Sequence, residues 1–361
     1  MHSKLKILEF SNNIFIYLFA YGIIPIIILI GVKKVKKSKN LNDNYFNQTQ
    51  TSILKGISIL LIVVHHLTIR LINPNFMKPF LNVGFLGVAI FFFISGYGLI
   101  SSYLKDENHL NNFFSKRVAR VYIPFMVTNI FIGITSILIF DESYSITEIF
   151  LTSIFLKNIT SGQVFWYINA TILFYIVFYL TLKFLKTTTK AIIIMFIYSI
   201  IYIFVCRIQE MGIYWYNTAL AFPFGVLVAY KKEKILYIIK TYYNKLFIIF
   251  LIGFVIIFLI SFEESKNKFI FDTISSILFI FLVMLLNYKL NIKSKLLDFI
   301  GSISFEIYLV HQFIIDIFYG RYHTKQSLSF YVLVLIIIGV SFLLNKVSKV
   351  ICEKIDSLNN N

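Results

Sequence analysis

The sequence consists of long apolar runs separated by short clusters of polar residues. The runs are roughly 17–25 residues long, and an α-helix of about 20 residues crosses a ~30 Å hydrocarbon core. Apolar residues follow one another without the alternation of a transmembrane β-strand, so we expect no strands. The pattern predicts an all-α, polytopic membrane helix bundle with about eleven transmembrane helices. The predicted spans are residues 14–32, 53–72, 83–102, 121–140, 164–183, 191–206, 212–230, 246–262, 269–287, 300–319 and 328–350.

The predicted spans divide the chain into a core and two flanking segments. Residues 1–49 hold one transmembrane helix and a basic loop, residues 50–351 hold a ten-helix core, and residues 352–361 form a short tail. A cluster of lysines follows the first span, no strongly basic region precedes it, and we find no small-residue cleavage site after it. We therefore interpret the first run as a retained span.

Composition supports the membrane class. Of the 361 residues, 58% are hydrophobic and 14% are charged, whereas soluble domains have about 25% charged residues. The net charge of +17 would suggest a nucleic-acid partner in a soluble protein, but the cations lie between apolar runs. That placement fits the positive-inside rule, so we expect a lipid bilayer as partner and no nucleic acid. Cys206 and Cys352 lack a metal-binding spacing, which predicts no metal site.

The loop cations also predict an orientation. Alternate loops together carry 23 of the 34 Lys and Arg residues, and the opposite set carries 10. Because cytoplasmic loops are enriched in cations, the N-terminus is expected outside and the C-terminus in the cytoplasm. The chain is thus predicted to be a multi-pass protein of the cell membrane.

Two adjacent histidines, His65 and His66, lie inside the second span, in the stretch GISILLIVVHHLTIR. His66 follows Lys55 by eleven residues, almost three helical turns, so both share one face about 16 Å apart. His65 points roughly 80° away from that face. Ionisable residues at this depth are usually functional, which makes His66 the stronger candidate. The alternative is that an intramembrane histidine only hydrogen-bonds a neighbouring helix.

A second polar stripe lies in the stretch GSISFEIYLVHQF. Ser304, Tyr308 and His311 are spaced by four and three residues, so they share a helix face. His311 lies at a depth similar to that of His66, and we hypothesise that the two histidines meet in one polar cavity. Glu306 and Asp316 are candidates either for interhelical partners or for members of a proton relay.

Two further features are Arg117 with Arg120, and Trp166. Only five of the cations are arginines, and two of these stand at i and i+3 before a predicted span. Arginine binds phosphate through a planar fork, so the pair indicates a cytoplasmic site for a phosphorylated donor or, alternatively, simple topology signalling. Trp166 lies at the predicted outer interface, where an aromatic belt is expected in any case.

Five motifs in this order resemble the acyltransferase-3 family of integral-membrane acyltransferases, many of which O-acetylate bacterial surface polysaccharides. The resemblance covers roughly residues 50 to 350. In this chain the motifs read Lys55-Gly56-Ile57-Ser58 with His66, a Phe-rich run ending in Ser95-Gly96, Arg117 with Arg120 and Pro124, Trp166-Tyr167-Ile168, and Ser304 through Tyr308 to His311. Lys55 departs from the family, which usually has Arg there.

The resemblance implies a membrane O-acyltransferase with no bound cofactor. Its donor substrate would be acyl-CoA, commonly acetyl-CoA, which enters from the cytoplasm. The donor's phosphates would meet Arg117, Arg120 and Lys55. His66 would take the proton from the acceptor hydroxyl as a general base, or would carry the acyl group itself.

The resemblance also implies an acceptor side. The acceptor would be a hydroxyl group of an envelope glycan or glycolipid, and polysaccharide synthesis machinery would be a possible partner. His311 and Tyr308 would orient the acceptor or stabilise the developing oxyanion. Ser304 and Trp166 complete the predicted substrate-binding set.

Two other functions remain compatible with the sequence. The first is a transporter or flippase of a polysaccharide or a lipid-linked precursor. The second is a catalytically inactive relative with a structural role in a polysaccharide synthesis complex. A transporter would tolerate His66→Gln, and an inactive relative would bind no donor.

Overall fold

The structure is a computed structural model that describes residues 14–34, 45–71, 74–140, 145–153, 165–185, 187–262, 267–319 and 330–359. The α-helices are α1 (Ile14–Tyr17), α2 (Ile24–Gly31), α3 (Gln48–Thr68), α4 (Gly84–Lys105), α5 (Phe113–Arg117), α6 (Ile123–Phe140), α7 (Ile146–Ser153), α8 (Phe165–Phe184), α9 (Thr188–Ile208), α10 (Ala221–Tyr230), α11 (Lys232–Ile260), α12 (Lys268–Lys289), α13 (Lys295–Ser302), α14 (Ser304–Tyr319) and α15 (Phe330–Asn359). Leu18–Ile23 and Val118–Tyr122 are π-helical, and Asn75–Asn82, Glu107–Leu110 and Ile213–Trp215 are 3₁₀-helical.

The fold is an all-α, polytopic membrane bundle. Within the described residues, eight helices are long and apolar enough to cross a membrane, and a bent helix pair raises the number to nine. Two of the predicted spans contain shorter apolar helices, Leu18–Gly31 and Ala221–Tyr230. In the second of these spans the residues before Ala221 fold as a 3₁₀ turn and further turns, where the polar residues Asn217 and Thr218 lie.

The predicted span 300–319 is broken rather than continuous. Helix α13 ends at Ser302, α14 begins at Ser304, and the two axes are bent by 74°. Gly301 at this break lies against α3, because a Cβ at Gly301 would stand 1.8 Å from the carbonyl oxygen of Ser52. The bend therefore lets α13 pack along the start of α3 while α14 continues into the membrane.

Small residues bring the central helices into backbone contact. A Cβ at Gly96 of α4 would stand 2.2 Å from the carbonyl oxygen of Phe222, and one at Gly225 of α10 would stand 2.1 Å from that of Phe93. Such close approach is the usual basis of helix association in membranes. Helix α11, in contrast, buries none of its apolar window, as expected for a helix that faces lipid.

The expectation of no strands was wrong in one place, because two three-residue strands join distant loops. Strand β1 (Val32–Lys34) pairs antiparallel with β2 (Leu290–Ile292). The side-chain amide of Gln50 caps the pair, since its Nε2 donates to the carbonyl oxygen of Ile292 at 2.8 Å. Strands of three residues are too short to show an alternating pattern in the sequence.

Candidate active site

Helix α3 connects two cavities along one of its faces. Lys55 lies near its start and His66 near its end, with Ser58 and Ile62 buried between them against α4. At the Lys55 end lies a cavity of about 470 Å³, here called the basic cavity, lined by Lys55, Arg117, Arg120, Thr51, Ser95 and Ser304. At the other end lies a cavity of about 250 Å³, here called the histidine cavity, lined by His65, His66, Trp166, Tyr308, Asn217 and Asp272.

Aromatic rings hold Arg117 in the wall of the basic cavity. Its guanidinium carbon lies 5.5 Å from the ring centroid of Phe113 and 5.6 Å from that of Tyr175. Tyr175 is itself fixed by a 2.7 Å hydrogen bond between its hydroxyl and that of Ser95. The π-helical turn Val118–Tyr122 interrupts the helix beside this arginine, and π turns are frequent at functional sites.

The region around the arginine pair is electropositive. In the loop between α4 and α5, burial lowers the pKa of His109, and the neighbouring cations Lys116, Arg117 and Arg120 lower it further. Within the described residues, no carboxylate lines the basic cavity. The cavity therefore offers an anion several positive groups without a competing internal anion.

The structure brings His66 and His311 together, with ring centroids 5.0 Å apart. Nδ1 of His311 lies 2.9 Å from the carbonyl oxygen of Ile307 and 2.8 Å from that of Tyr308. Because carbonyl oxygens only accept, Nδ1 carries the hydrogen and Nε2 of neutral His311 keeps a lone pair. No partner for that Nε2 occurs in the described part of the chain. His311 is thus a buried base beside a histidine that reaches the cavity.

The side chains of Gln312 and Arg70 hold His66 by hydrogen bonds to its ring and to its backbone, respectively. The side-chain amide nitrogen of Gln312 lies 2.9 Å from Nε2 and 3.1 Å from Nδ1 of His66. An amide N–H donates to whichever of these ring nitrogens carries no hydrogen. At the end of α3, Nη1 of Arg70 donates to the carbonyl oxygen of His66 at 2.8 Å.

His65 is held differently and packs against the wall of the histidine cavity. Its Nδ1 lies 3.1 Å from the carbonyl oxygen of Phe80, so this nitrogen donates. Its ring lies over Gly84, where a Cβ would come within 2.5 Å of Cδ2 of His65. The two adjacent histidines are therefore kept in the helix by different partners: His65 bonds the backbone of Phe80, whereas the ring of His66 lies against His311 and Gln312.

Asp316 and Glu306 both serve as interhelical partners in the structure. Asp316 accepts from Nε of Arg70 at 3.0 Å and also pairs with Nη2 of that arginine, which joins α14 to the end of α3. Glu306 accepts from Nδ2 of Asn345 on α15 at 2.9 Å. The Arg70–Asp316 pair therefore sets the distance between the helices that carry His66 and His311.

A pair of tyrosines stands between the two cavities. Tyr167 lines the basic cavity and Tyr308 lines the histidine cavity, and their ring centroids are 4.8 Å apart. Ser304, one turn before Tyr308 on α14, faces the basic cavity and donates to the carbonyl oxygen of Gly301 at 2.8 Å. Trp166 lies next to Tyr167 and faces the histidine cavity. The stripe of Ser304 and Tyr308 thus runs from one cavity to the other.

Four residues that the sequence did not single out complete the site, namely Arg70, Gln312, Asp272 and Asn217, together with Tyr167, which the sequence analysis named only as part of a motif. Asp272 is an acid inside an apolar span, and Arg70 is one of only five arginines, so both could have been found. Among the described residues, no group of three or more His, Cys, Asp or Glu side chains is placed to hold a metal ion.

These features define an integral-membrane protein whose helix bundle contains two cavities, one lined by several cations and one lined by His65 and His66. The chain belongs to the acyltransferase-3 family, whose model, described as an acyltransferase domain, matches residues 51–346. It is therefore an acyl-transferring enzyme. The chain is also 23% identical over 296 residues to "Putative acetyltransferase ORF330" of Acidianus two-tailed virus, across 76% of this chain and 85% of that protein. No solved structure matches the chain significantly.

Proposed function

We propose that this enzyme is a membrane O-acyltransferase that moves an acyl group, with acetyl as the leading candidate, from cytoplasmic acyl-CoA to a hydroxyl group of a cell-envelope polysaccharide or glycolipid. One observation carries the proposal: a basic cavity and a histidine cavity lie at the two ends of one helix face and meet across Tyr167 and Tyr308. This arrangement offers a donor and an acceptor separate entrances to one reaction centre.

The basic cavity suits the donor. Coenzyme A carries several phosphate groups, and Lys55, Arg117 and Arg120 line this cavity together. Arginine forks bind phosphate through paired, charge-assisted hydrogen bonds. With the phosphates at these cations, the thioester would extend past Ser304 toward the tyrosine pair.

The histidine cavity suits the transfer step. The acceptor oxygen attacks the thioester carbonyl carbon while its proton passes to His66. The tetrahedral intermediate then collapses, the C–S bond breaks, and the proton moves from His66 to the departing thiolate. Gln312 holds the ring of His66, and Nε2 of His311 offers a lone pair beside it. Tyr308 donates to the developing oxyanion.

We propose that the basic cavity faces the cytoplasm, with the N-terminus outside and the C-terminus inside the cell membrane. Strands β1 and β2 lie in loops that the cation count assigns to the cytoplasm, and their pairing supports a common side. The hydrogen bond of 2.8 Å from Asn82 to Ser261 supports a common side for two loops of the opposite set. The nine long spans and the two shorter apolar helices would together make the eleven crossings.

Transport of a glycan or a lipid-linked precursor is the second candidate. The alignment of both cavities along one helix favours it, because a transporter also needs a polar path through the bundle. Transport requires no proton transfer at His66. A His66→Gln variant that keeps full activity would therefore favour transport over acyl transfer.

Donor binding is the direct test of the proposed function. At a concentration of 100 Kd, acetyl-CoA is expected to raise the free energy of unfolding in detergent by about 2.7 kcal/mol, measured as a thermal shift. Arg117→Ala is expected to lose most of this stabilisation. Arg207→Ala is the matched control, because Arg207 does not line the basic cavity and its guanidinium lies 4.3 Å from the ring centroid of Phe269. Folded protein that no short acyl-CoA stabilises would contradict the proposal.

A further inference from the structure

The histidine cavity contains a polar cluster that the transfer step does not use. Asp272 of α12 accepts at Oδ2 from Nδ2 of Asn217 at 3.2 Å, and Nζ of Lys268 lies 3.8 Å from its Oδ1. Asn82 and Ser261 lie close to the same carboxylate, and Nζ of Lys268 donates to Oδ1 of Asn82 at 3.3 Å. The cluster brings α12, the turn before α10 and the loop before α4 to one wall of the cavity.

Two oxygens of this cluster have open hydrogen-bonding capacity. Asp272 is 2% exposed and Asn217 is 4% exposed. In the part of the chain that the structure describes, Oδ1 of Asp272 and Oδ1 of Asn217 make no hydrogen bond. Buried polar atoms are almost always paired, and an unpaired one is costly. Because Nδ2 of Asn217 donates to Oδ2 of Asp272, the two open acceptors belong to one hydrogen-bonded cluster.

An aromatic ring supplies an apolar surface in the same cavity. Trp166 lines the histidine cavity, and its ring centroid lies 5.7 Å from that of Tyr214 and 6.3 Å from that of Trp215. These contacts restrict the orientation of the indole ring. A ligand in this cavity therefore meets the ring of Trp166 as well as the side chains of Asp272 and Asn217.

The size and charge of the cavity further limit the class of ligand that it can bind. Its volume of about 250 Å³ is below the ~300–1,000 Å³ of pockets for drug-sized ligands, so it admits one ring-sized group. Lys268 offsets the charge of Asp272, so the site has no excess charge for an ionic ligand to neutralise. A sugar ring fits these conditions, since it has apolar C–H faces and adjacent hydroxyl groups that donate hydrogen bonds.

We propose that Asp272 and Asn217, with Trp166 as an apolar contact, form the site that recognises one neutral sugar unit of the acceptor through its hydroxyl groups. The proposal rests on the proposed function, because it treats the ligand beside His66 as the acyl acceptor. A site built to hydrogen-bond hydroxyl groups strongly rejects ligands that lack them, since its own buried oxygens would stay unpaired. Asp272 and Asn217 are then specificity-determining residues of the reaction.

Tryptophan fluorescence tests sugar binding without any turnover. The chain has two tryptophans: Trp166 lines the histidine cavity, and the ring of Trp215 packs against that of Trp166. The probes are the methyl glycosides of glucose, galactose, mannose, rhamnose and N-acetylglucosamine, with cyclohexanol as a ring that carries one hydroxyl. We expect at least one glycoside to change the emission saturably and cyclohexanol to have no such effect.

Two variants test whether the glycoside binds at the cluster of Asp272 and Asn217. Asp272→Asn keeps the side-chain size and is expected to weaken binding of the responding glycoside about ten- to hundredfold, and Asn217→Ala about tenfold. Asp298→Asn on α13 makes the same chemical change away from the histidine cavity and is expected to bind like wild type. Circular dichroism of each variant establishes that it is folded, and the second variant serves if the first does not fold.

The acetyl-CoA thermal shift, measured on the same samples, separates the two proposals. No emission change with any glycoside, in protein that acetyl-CoA stabilises, would overturn the sugar site alone. Wild-type affinity in both Asp272→Asn and Asn217→Ala would also overturn it. Glycoside binding that depends on Asp272, in protein that acetyl-CoA does not stabilise, would support the sugar site and contradict the proposed donor.

Discussion

The basic cavity and the histidine cavity lie along the same helix but differ in the net charge of the residues around them. Lys55, Arg117 and Arg120 share the basic cavity with no carboxylate among its described lining residues. Around the histidine cavity, Lys268 lies beside Asp272, and Arg70 pairs with Asp316. One cavity thus carries unbalanced positive charge and the other is close to neutral. The difference indicates a polyanionic ligand for the first and a neutral, hydroxyl-rich ligand for the second.

The largest expected effect comes from a change that affects only the histidine cavity. His66→Ala is expected to lower the rate of acyl transfer about 10²–10⁴-fold, because it removes the general base. The donor site lies about three helical turns away, so the thermal shift with acetyl-CoA should be unchanged. Transfer is measured with labelled acetyl-CoA and a glycoside that binds.

The neighbouring histidine is the control for that change. His65→Gln keeps an N–H group that can donate to the carbonyl oxygen of Phe80, and it leaves in place the ring of His66 that lies against His311. It should therefore reduce transfer much less than His66→Ala. Equal losses in both variants would contradict the assignment of the base to His66.

A second prediction asks whether the basic cavity recognises phosphate. Acetyl-CoA should bind about 10–100-fold more tightly than S-acetylpantetheine, which carries the same thioester without phosphates, because hydrogen bonds to charged groups contribute about 1.5–3 kcal/mol. In Arg117→Ala this preference should largely disappear, while affinity for S-acetylpantetheine stays the same. Calorimetry on both ligands measures the preference, and an unchanged ratio would show that Arg117 acts on the structure and not on the phosphates.

Much of the fold was predictable because the relevant information is local. Uninterrupted apolar runs indicate spans wherever they occur, and the shared face of Lys55 and His66 follows from helix geometry alone. The predicted depth of His311 also led to the hypothesis that it meets His66, and the structure places their rings in contact. Their catalytic roles, like those of the other predicted site residues, stay predictions.

The parts that could not be predicted depend on contacts between segments distant in sequence. The break at Ile303 follows from the packing of Gly301 against α3, which an apolar run does not reveal. Asn217 lies in a run that seemed to be an ordinary span, and its importance comes from its bond to Asp272, 55 positions away. The pairing of Arg70 with Asp316 spans 246 positions. Helical periodicity shows which residues share a face of one helix, and it cannot identify partners that are so far apart in the sequence.

The Arg70–Asp316 pair gives a prediction of intermediate size that links stability to the histidine cavity. Removing one partner of a buried ion pair leaves the other charge uncompensated and costs about 3–5 kcal/mol. These side chains are 13% and 16% exposed, so we expect a smaller loss, about 1–2 kcal/mol, in Asp316→Asn. Thermal unfolding measures the loss.

The double variant Arg70→Met with Asp316→Leu separates stability from positioning. It leaves no unpaired charge and should recover most of the lost stability. Its rate of acyl transfer should stay below that of wild type, because the variant loses the hydrogen bond from Arg70 to the carbonyl oxygen of His66. Wild-type stability together with a wild-type transfer rate would show that the Arg70–Asp316 pair has only a structural role.

The smallest expected effect concerns Lys55, where this chain departs from the arginine that is usual in the family. Lys55 shares the basic cavity with Arg117 and Arg120, so Lys55→Arg keeps the charge and adds a planar fork. Because lysine already supplies the charge, the second hydrogen bond to a phosphate is expected to add only about 0.5–1 kcal/mol, which corresponds to a roughly two- to fivefold lower Kd for acetyl-CoA. The affinity for S-acetylpantetheine should not change, and neither should glycoside binding at the histidine cavity.

Two other outcomes would change this interpretation of Lys55. If Lys55→Arg also increased the affinity for S-acetylpantetheine, Lys55 would lie beside the thioester arm instead of the phosphates. A higher Kd for acetyl-CoA would mean that the basic cavity accommodates lysine but not the larger arginine at position 55. The two cavities would then differ in the size of the side chains they accept as well as in charge.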